Sequence, residues 1–198
     1  RNAMVVQMIG AIGAGDPMLD GPECARWLAQ KLGASSRYVH APVLVESETV
    51  ARALVQERSI AETLSLIEGA EVALTGIGTI DPSLSSLRRA GFLDDTQLKE
   101  LRDAGAVGDI LAYQLDAWGR VLDTPLNRRV IAIDLKVLQK VPTAIAVAGG
   151  LVKAPIILAA LRGKYVNVLI TDAKTATQVL ALEKEPVSLL VEGRASVS

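Results

Sequence analysis

The 198 residues carry a net charge of −1, are half hydrophobic and only 3% aromatic, with a mean hydropathy of +0.33. These values exclude a disordered chain and, with no long Lys/Arg stripe, a surface built to bind nucleic acid directly. A single cysteine excludes an internal disulfide and a cysteine-based zinc cluster and suits a reducing cytoplasm, and no apolar run approaches the ~18 residues needed to span a bilayer.

The core is therefore expected to be assembled from Ala, Val, Leu and Ile, which suits helices packed on a parallel sheet. One domain is expected over residues 5–185. Residues 1–4 read as a remnant or linker ahead of it, and 186–198 as a peripheral tail.

Val5–Ile9 reads as a first strand, followed by the glycine-rich connection Gly10-Ala-Ile-Gly13-Ala-Gly15-Asp16-Pro17 and a helix from about Glu23 to Leu32. Cys24, Trp27, Leu28 and Leu32 recur at helical spacing, which predicts their burial, and Gly33 suits the C-terminal cap. Tyr38–Val45 reads as a second strand bent at Pro42. His40, the one histidine, sits beside this bend; with no second histidine, neither a metal site nor a cofactor is expected. Ser47 opens a helix, and Ser59-Ile-Ala-Glu62 has the pattern of a capping box for another.

Val72–Thr79 is an apolar strand running into Gly76 and Gly78. Helices are expected over 83–90, carrying Arg88 and Arg89, and from Thr96 to Gly105. Gly105-Ala-Val-Gly108-Asp109-Ile110 places a carboxylate beside flexible backbone, where it suits two sugar hydroxyls as an acceptor. A β-hairpin is expected over 111–122, then a strand at Val130–Ile133 and a short helix at Leu135–Gln139.

The central unit is Ile145–Leu161: an unalternating apolar strand, the turn Gly149-Gly150, Lys153, and a helix opened by Pro155. An anion placed there would meet unpaired amides, the positive end of a helix dipole and an ammonium group. Tyr165–Ile170 is the last strand, and Asp172 caps a final helix with Ala176, Val179 and Leu180 on its inner face. The glycine pairs Gly10/Gly13, Gly76/Gly78, Gly105/Gly108 and Gly149/Gly150 are expected to meet at one rim beyond the strand ends, where open α/β sheets bind ligands.

The ordered motifs Ala-Pro-Val-Leu-Val (41–45), Gly-Ile-Gly (76–78), Gly-Ala-Val-Gly-Asp-Ile (105–110), Ala-Gly-Gly-Leu-Val-Lys (148–153), Ala-Leu-Arg-Gly (160–163) and Val-Leu-Ile-Thr-Asp (168–172) resemble the sugar-binding domain of SorC-type bacterial transcriptional regulators. The resemblance runs from about Val5 to Leu182. It implies a Rossmann-like α/β fold related to ribose-5-phosphate isomerase and glucosamine-6-phosphate deaminase, with a mostly parallel central sheet, helices on both faces and a small hairpin. It also implies a cytoplasmic dimer or tetramer with a sugar or sugar-phosphate effector, reaching DNA through a helix-turn-helix that this chain does not contain. The effector-binding positions so implied are Gly10, Gly13, Pro42, Gly76, Gly78, Thr79, Arg89, Asp109 and Lys153. No enzymatic role is expected; the alternatives are a sugar-phosphate isomerase or deaminase on the same fold, with Asp109 as its base, and a pure oligomerisation module.

Overall fold

A computed structural model of the chain describes residues 3–13 and 20–185. The expected tail at 186–198, the Gly15-Asp16-Pro17 part of the first loop and Arg1-Asn2 lie outside the described residues. In chain order the elements are β1 (Met4–Val6), α1 (Gly21–Leu32), β2 (Ser35–Arg37), α2 (Glu48–Gln56), α3 (Arg58–Ser65), β3 (Val72–Gly76), α4 (Ser86–Arg89) and α5 (Asp95–Asp103). The hairpin strands β4 (Gly108–Ile110) and β5 (Tyr113–Leu115) follow, then α6 (Leu135–Leu138), β6 (Thr143–Val147), α7 (Ala154–Arg162), β7 (Val168–Ile170) and α8 (Ala173–Glu183).

Parallel pairing dominates, as the unalternating strands imply, but the parallel strands fall into two sheets. One holds β1 and β2; the other has the order β3-β6-β7, and β4 pairs with β5 antiparallel. Single bridges extend the first sheet: Ala11 meets Pro42, and the extended stretch 130–133 bridges to Leu44 through Val130 and to Ile9 through Ala132. The expected strand at Val130–Ile133 is thus present only as isolated bridges. Pro42, which cannot donate to a ladder, explains why the pairing after β2 is reduced to a bridge.

The centre of the molecule is β6 and α7. Ala144 and Ala146 of β6 point into the core, and α7 buries Ala154 and Ile156 through Ala160. Small residues let this helix lie close to its neighbours, and Pro155 occupies its first turn, where a missing N–H costs nothing. The main core joins α7 to Leu98 and Leu101 of α5, Ile110, Leu115 and Leu138. A satellite of Val39, Val45, Ala51, Ile60 and Ile131 closes the other end.

Several local readings differ from the structure. On α1 the buried residues are Ala25 and Ala29. Trp27 and Leu32 are half or more exposed, and Cys24 and Leu28 are exposed as well. Two alanines allow close approach to β1 and β2, so the small face of the helix wins over the large apolar one. The capping box at Ser59–Glu62 does not form: α3 starts two residues earlier, with Glu57 at the N-cap position and no side-chain cap. A capping box forms instead at α5, between Asp94 and Gln97. On α8 the inner face is Thr175, Val179 and Leu182, and Leu180 is exposed. The hairpin lies earlier than expected, over 108–115, with the bridge Leu115–Val121 adding a third, minimal strand. Asp116 closes that second turn by accepting from the N–H groups of Trp118 and Arg120, both at 2.9 Å.

Ile156→Ala, at a position with no exposure that packs against Gly108, is expected to lower unfolding free energy by about 2–5 kcal/mol in denaturant titrations.

Candidate functional site

β3 and β6 run parallel as neighbours, so the turns that follow them, Gly76–Thr79 and Ala148–Lys153, leave the sheet side by side. The hairpin is brought to the same place by a reciprocal pair of backbone bonds: Gly78 N–H donates to Asp109 O at 2.9 Å, and Asp109 N–H to Gly78 O at 3.2 Å. This crossing requires glycine. A Cβ on Gly78 would stand 2.1 Å from Asp109 Oδ1, and one on Gly108 would stand 2.5 Å from Gly78 O. The Lys153 ammonium reaches across from the β6 turn and donates to Ile77 O at 2.7 Å. Gly76, Gly78, Thr79, Asp109 and Lys153 are thereby gathered at one place.

The Asp109 carboxyl is the chemically unusual group of this cluster. Burial pushes its pKa up to about 6, against a backbone hydrogen bond from Ala112 and the positive charge of Lys153, which pull it down. The turn beyond it holds Leu111 and Ala112 at φ of 50° and 65°, a left-handed conformation that costs a non-glycine residue of order 1 kcal/mol or more.

Gly10, Gly13 and Pro42 form a second group. Gly10 packs directly on Pro42, where a Cβ would meet Pro42 O at 2.5 Å. Gly13 and Pro42 line a cavity of about 520 Å³ together with Tyr38, Val39 and His40. The Tyr38 and His40 rings stand edge to face with centroids 6.3 Å apart. Another cavity, of about 470 Å³, lies between α2 and the hairpin and is lined by Arg52, Tyr113, Arg128 and Lys136 among others; no predicted site residue lines it.

Gly105 follows α5 and Gly108 opens β4, so this pair precedes a strand rather than ending one. Arg89 is exposed in the last turn of the four-residue α4, and the bonds that join Gly78, Asp109 and Lys153 do not include it. Neighbouring Arg88 is paired with Asp95.

In the turn after β6 the Gly150 amide is not free, where unpaired amides were expected. Gly150 N–H donates to Thr175 Oγ1 at 2.8 Å and Asp172 Oδ2 at 3.1 Å. Likewise Asp20 accepts from Ile12 and Gly13 at 2.9 and 3.0 Å while capping α1. The Asp172 carboxyl is held down to about 2, first by the Thr175 hydroxyl and then by the N–H groups of Thr175 and Gly150. Asp20 and Asp172 thus hold the candidate loops, a part that the sequence reading did not assign to them. Their signal was present, since each stands at an N-cap position ahead of a helix, but which further amides a cap carboxylate reaches depends on the folded loop.

Residues 1–181 of the sequence match the family model "Putative sugar-binding domain". The chain belongs to this family, the sugar-binding domain of SorC-type transcriptional regulators. Among curated relatives, the "Transcriptional regulator LsrR" of Enterobacter sp. (strain 638) is 38% identical over 146 residues, 73% of this chain and 45% of that protein. The "Deoxyribonucleoside regulator" of Bacillus subtilis (strain 168) is 34% identical over 177 residues, 89% of this chain and 56% of that one. The chain thus spans about half the length of the curated relatives it matches. The full-length sorbitol operon regulator SorC of Klebsiella pneumoniae superposes with a TM-score of 0.82 at 26% identity, covering 89% of this chain and 57% of that one. A structure described as the putative sugar-binding domain of a transcriptional repressor from Vibrio fischeri gives 0.82 at 34% identity, covering 93% and 72%.

An Asp whose pKa is raised on folding binds its proton more tightly in the native state, so its contribution to stability is complete below the ordinary 3.8 and is lost as pH rises toward about 6. Asp109→Asn is therefore expected to remove a decline in thermal stability between about pH 4 and 6, worth on the order of 3 kcal/mol, in melts followed by circular dichroism.

Proposed function

We propose that this chain is the effector-sensing portion of a bacterial transcriptional regulator, which binds a sugar or sugar phosphate beyond the ends of β3 and β6. The observation that carries the reading is the gathering of Asp109, Gly78 and Lys153 at one rim in a chain of the sugar-binding family. Asp109 supplies an acceptor for hydroxyls, and Lys153 a cation that exchanges its bond to the Ile77 carbonyl for one to an anionic oxygen. Thr79 and the backbone at Gly76 and Gly78 form the wall between them. Gly10, Gly13 and Pro42, with His40, would meet the body of a larger effector at their own cavity, and Arg89 would reach a phosphate only from the outer margin.

Binding acts on transcription through linkage: the effector must favour one arrangement of the subunits over another, and the reciprocal effect appears in DNA affinity. In this reading DNA is contacted by an attached helix-turn-helix, the assembly is a dimer or tetramer in the cytoplasm, and no cofactor takes part. The regulators named above support a non-enzymatic role. Among the described residues no helix is long and apolar enough to cross a membrane. The isomerase or deaminase reading draws on one observation, the raised pKa of Asp109, which brings a carboxylate into the range of a general base.

Lys153→Ala is expected to weaken calorimetric affinity for a phosphorylated effector by about 10- to 100-fold, the loss of one charge-assisted contact. The affinity for the corresponding free sugar should change little. A thermal-shift screen over free and phosphorylated sugars finds the effector by saturable stabilisation without product; turnover that Asp109→Asn abolishes would establish the enzyme instead.

A further inference from the structure

The hairpin turns through Leu111 and Ala112, both in the left-handed region, so that Ile110 and Tyr113 flank the turn and Asp109 and Gln114 form the next pair along the ribbon. The backbone groups of this second pair point away from each other. Asp109 exchanges both of its bonds with Gly78, while Gln114 N–H donates to Asn127 Oδ1 at 2.8 Å and Gln114 O accepts from Asn127 Nδ2 at 3.0 Å. Asp109 and Gln114 are therefore a non-hydrogen-bonded antiparallel pair. That arrangement brings facing side chains closest, with Cα atoms about 4.5 Å apart and both side chains on one face of the ribbon.

Both side chains are buried, and both close on the same residue of the turn. The Asp109 carboxyl takes the Ala112 N–H, and Gln114 Nε2 donates to Ala112 O at 3.3 Å. The reverse orientation of the amide would set Oε1 against Ala112 O, two acceptors in contact. With its nitrogen so committed, Gln114 keeps an Oε1 that is buried and has no hydrogen-bond partner among the described residues. A carbonyl oxygen in that position calls for a donor. An ionised carboxylate beside it offers only lone pairs, whereas a protonated one carries an O–H.

We propose that Gln114 is a positioning residue of the rim, accepting a hydrogen bond from the protonated Asp109 carboxyl and so holding that acid neutral. Such a bond favours the neutral form, the same direction in which burial acts. The surrounding charges agree. Lys153 is the charged group that acts on Asp109, and its ammonium is bonded to the neutral Ile77 carbonyl; Gly78 and Thr79 of the turn after β3, Ile156 of α7 and Asn127 carry no charge. While Asp109 is neutral, the ammonium keeps its charge for an anion and the second carboxyl oxygen stays an acceptor for a hydroxyl. On loss of the proton, two acceptors face each other across the hairpin and Lys153 is drawn to the carboxylate. The pairing stands on register, burial and an orphaned oxygen, while its consequence for an anionic effector rests on the function proposed above.

Carbon-13 NMR of the side-chain carbonyls of the 198-residue chain tests the pairing with no ligand present. Gln114 Cδ is expected to shift with the same midpoint as Asp109 Cγ, about 6, and to lose that dependence in Asp109→Asn. In Gln114→Met, which keeps the length and burial of the side chain without the acceptor, the Asp109 midpoint should fall to about 5 or below. A Gln114 Cδ that stays flat through the Asp109 titration, or an Asp109 midpoint unchanged in Gln114→Met, would overturn the proposal. Should Gln114→Met fail to fold, Gln114→Glu puts a second carboxyl in the same place: the two then share one proton, and one titration step moves above the wild-type midpoint. Two steps that both lie in the ordinary carboxylate range would show that the side chains do not meet.

Discussion

The crossing of Gly78 and Asp109 is the constraint on which the end of the molecule beyond β3 and β6 depends. Two backbone hydrogen bonds hold the turn after β3 against β4, and the Asp109 carboxyl occupies the space that a side chain on Gly78 would fill. Such an approach of two chains is open only to glycine. It removes water from the carboxyl, and desolvation outweighs both the backbone bond and the nearby ammonium in setting its protonation. Packing and electrostatics are therefore one feature here: the contact that fixes the loop also tunes the acid.

The sequence made the architecture legible where pattern and tertiary context agree. Ile145–Leu161 is apolar without alternation, ends in Gly149-Gly150 and restarts at Pro155; strand, turn and helix appear at those places as β6, a short 3₁₀ turn and α7. Ser47, Asp172 and Gly33 act as the caps their residue types imply. Helix faces were less legible. On α1 the spacing of Trp27, Leu28 and Leu32 marks an amphipathic helix but does not say which stripe faces the domain, and the alanine face is the one buried. Periodicity reports that two faces differ, whereas burial depends on what the neighbouring elements leave room for.

The candidate site was legible in its members more than in its arrangement. Asp109 and Lys153 are 44 residues apart, and nothing local to either reveals that Gly78 lies beneath one and the Ile77 carbonyl beside the other. The Gly149-Gly150 turn was read as a source of free amides for an anion. In the fold, Asp172 takes the Gly150 amide, as Asp20 takes those of Ile12 and Gly13, because a buried or half-buried N–H left without a partner is costly and a cap carboxylate has acceptor capacity to spare. Lys153 is the cationic side chain beside Asp109 at that rim.

The bonds of Asp172 have a mechanical meaning. One carboxylate and one hydroxyl, that of Thr175, fasten the Gly150 amide to the first turn of α8, and α8 in turn packs along α7. The turn after β6 is thus riveted to a helix pair instead of hanging as an independent loop. Gly150 therefore cannot shift without breaking these bonds or carrying the first turn of α8 with it.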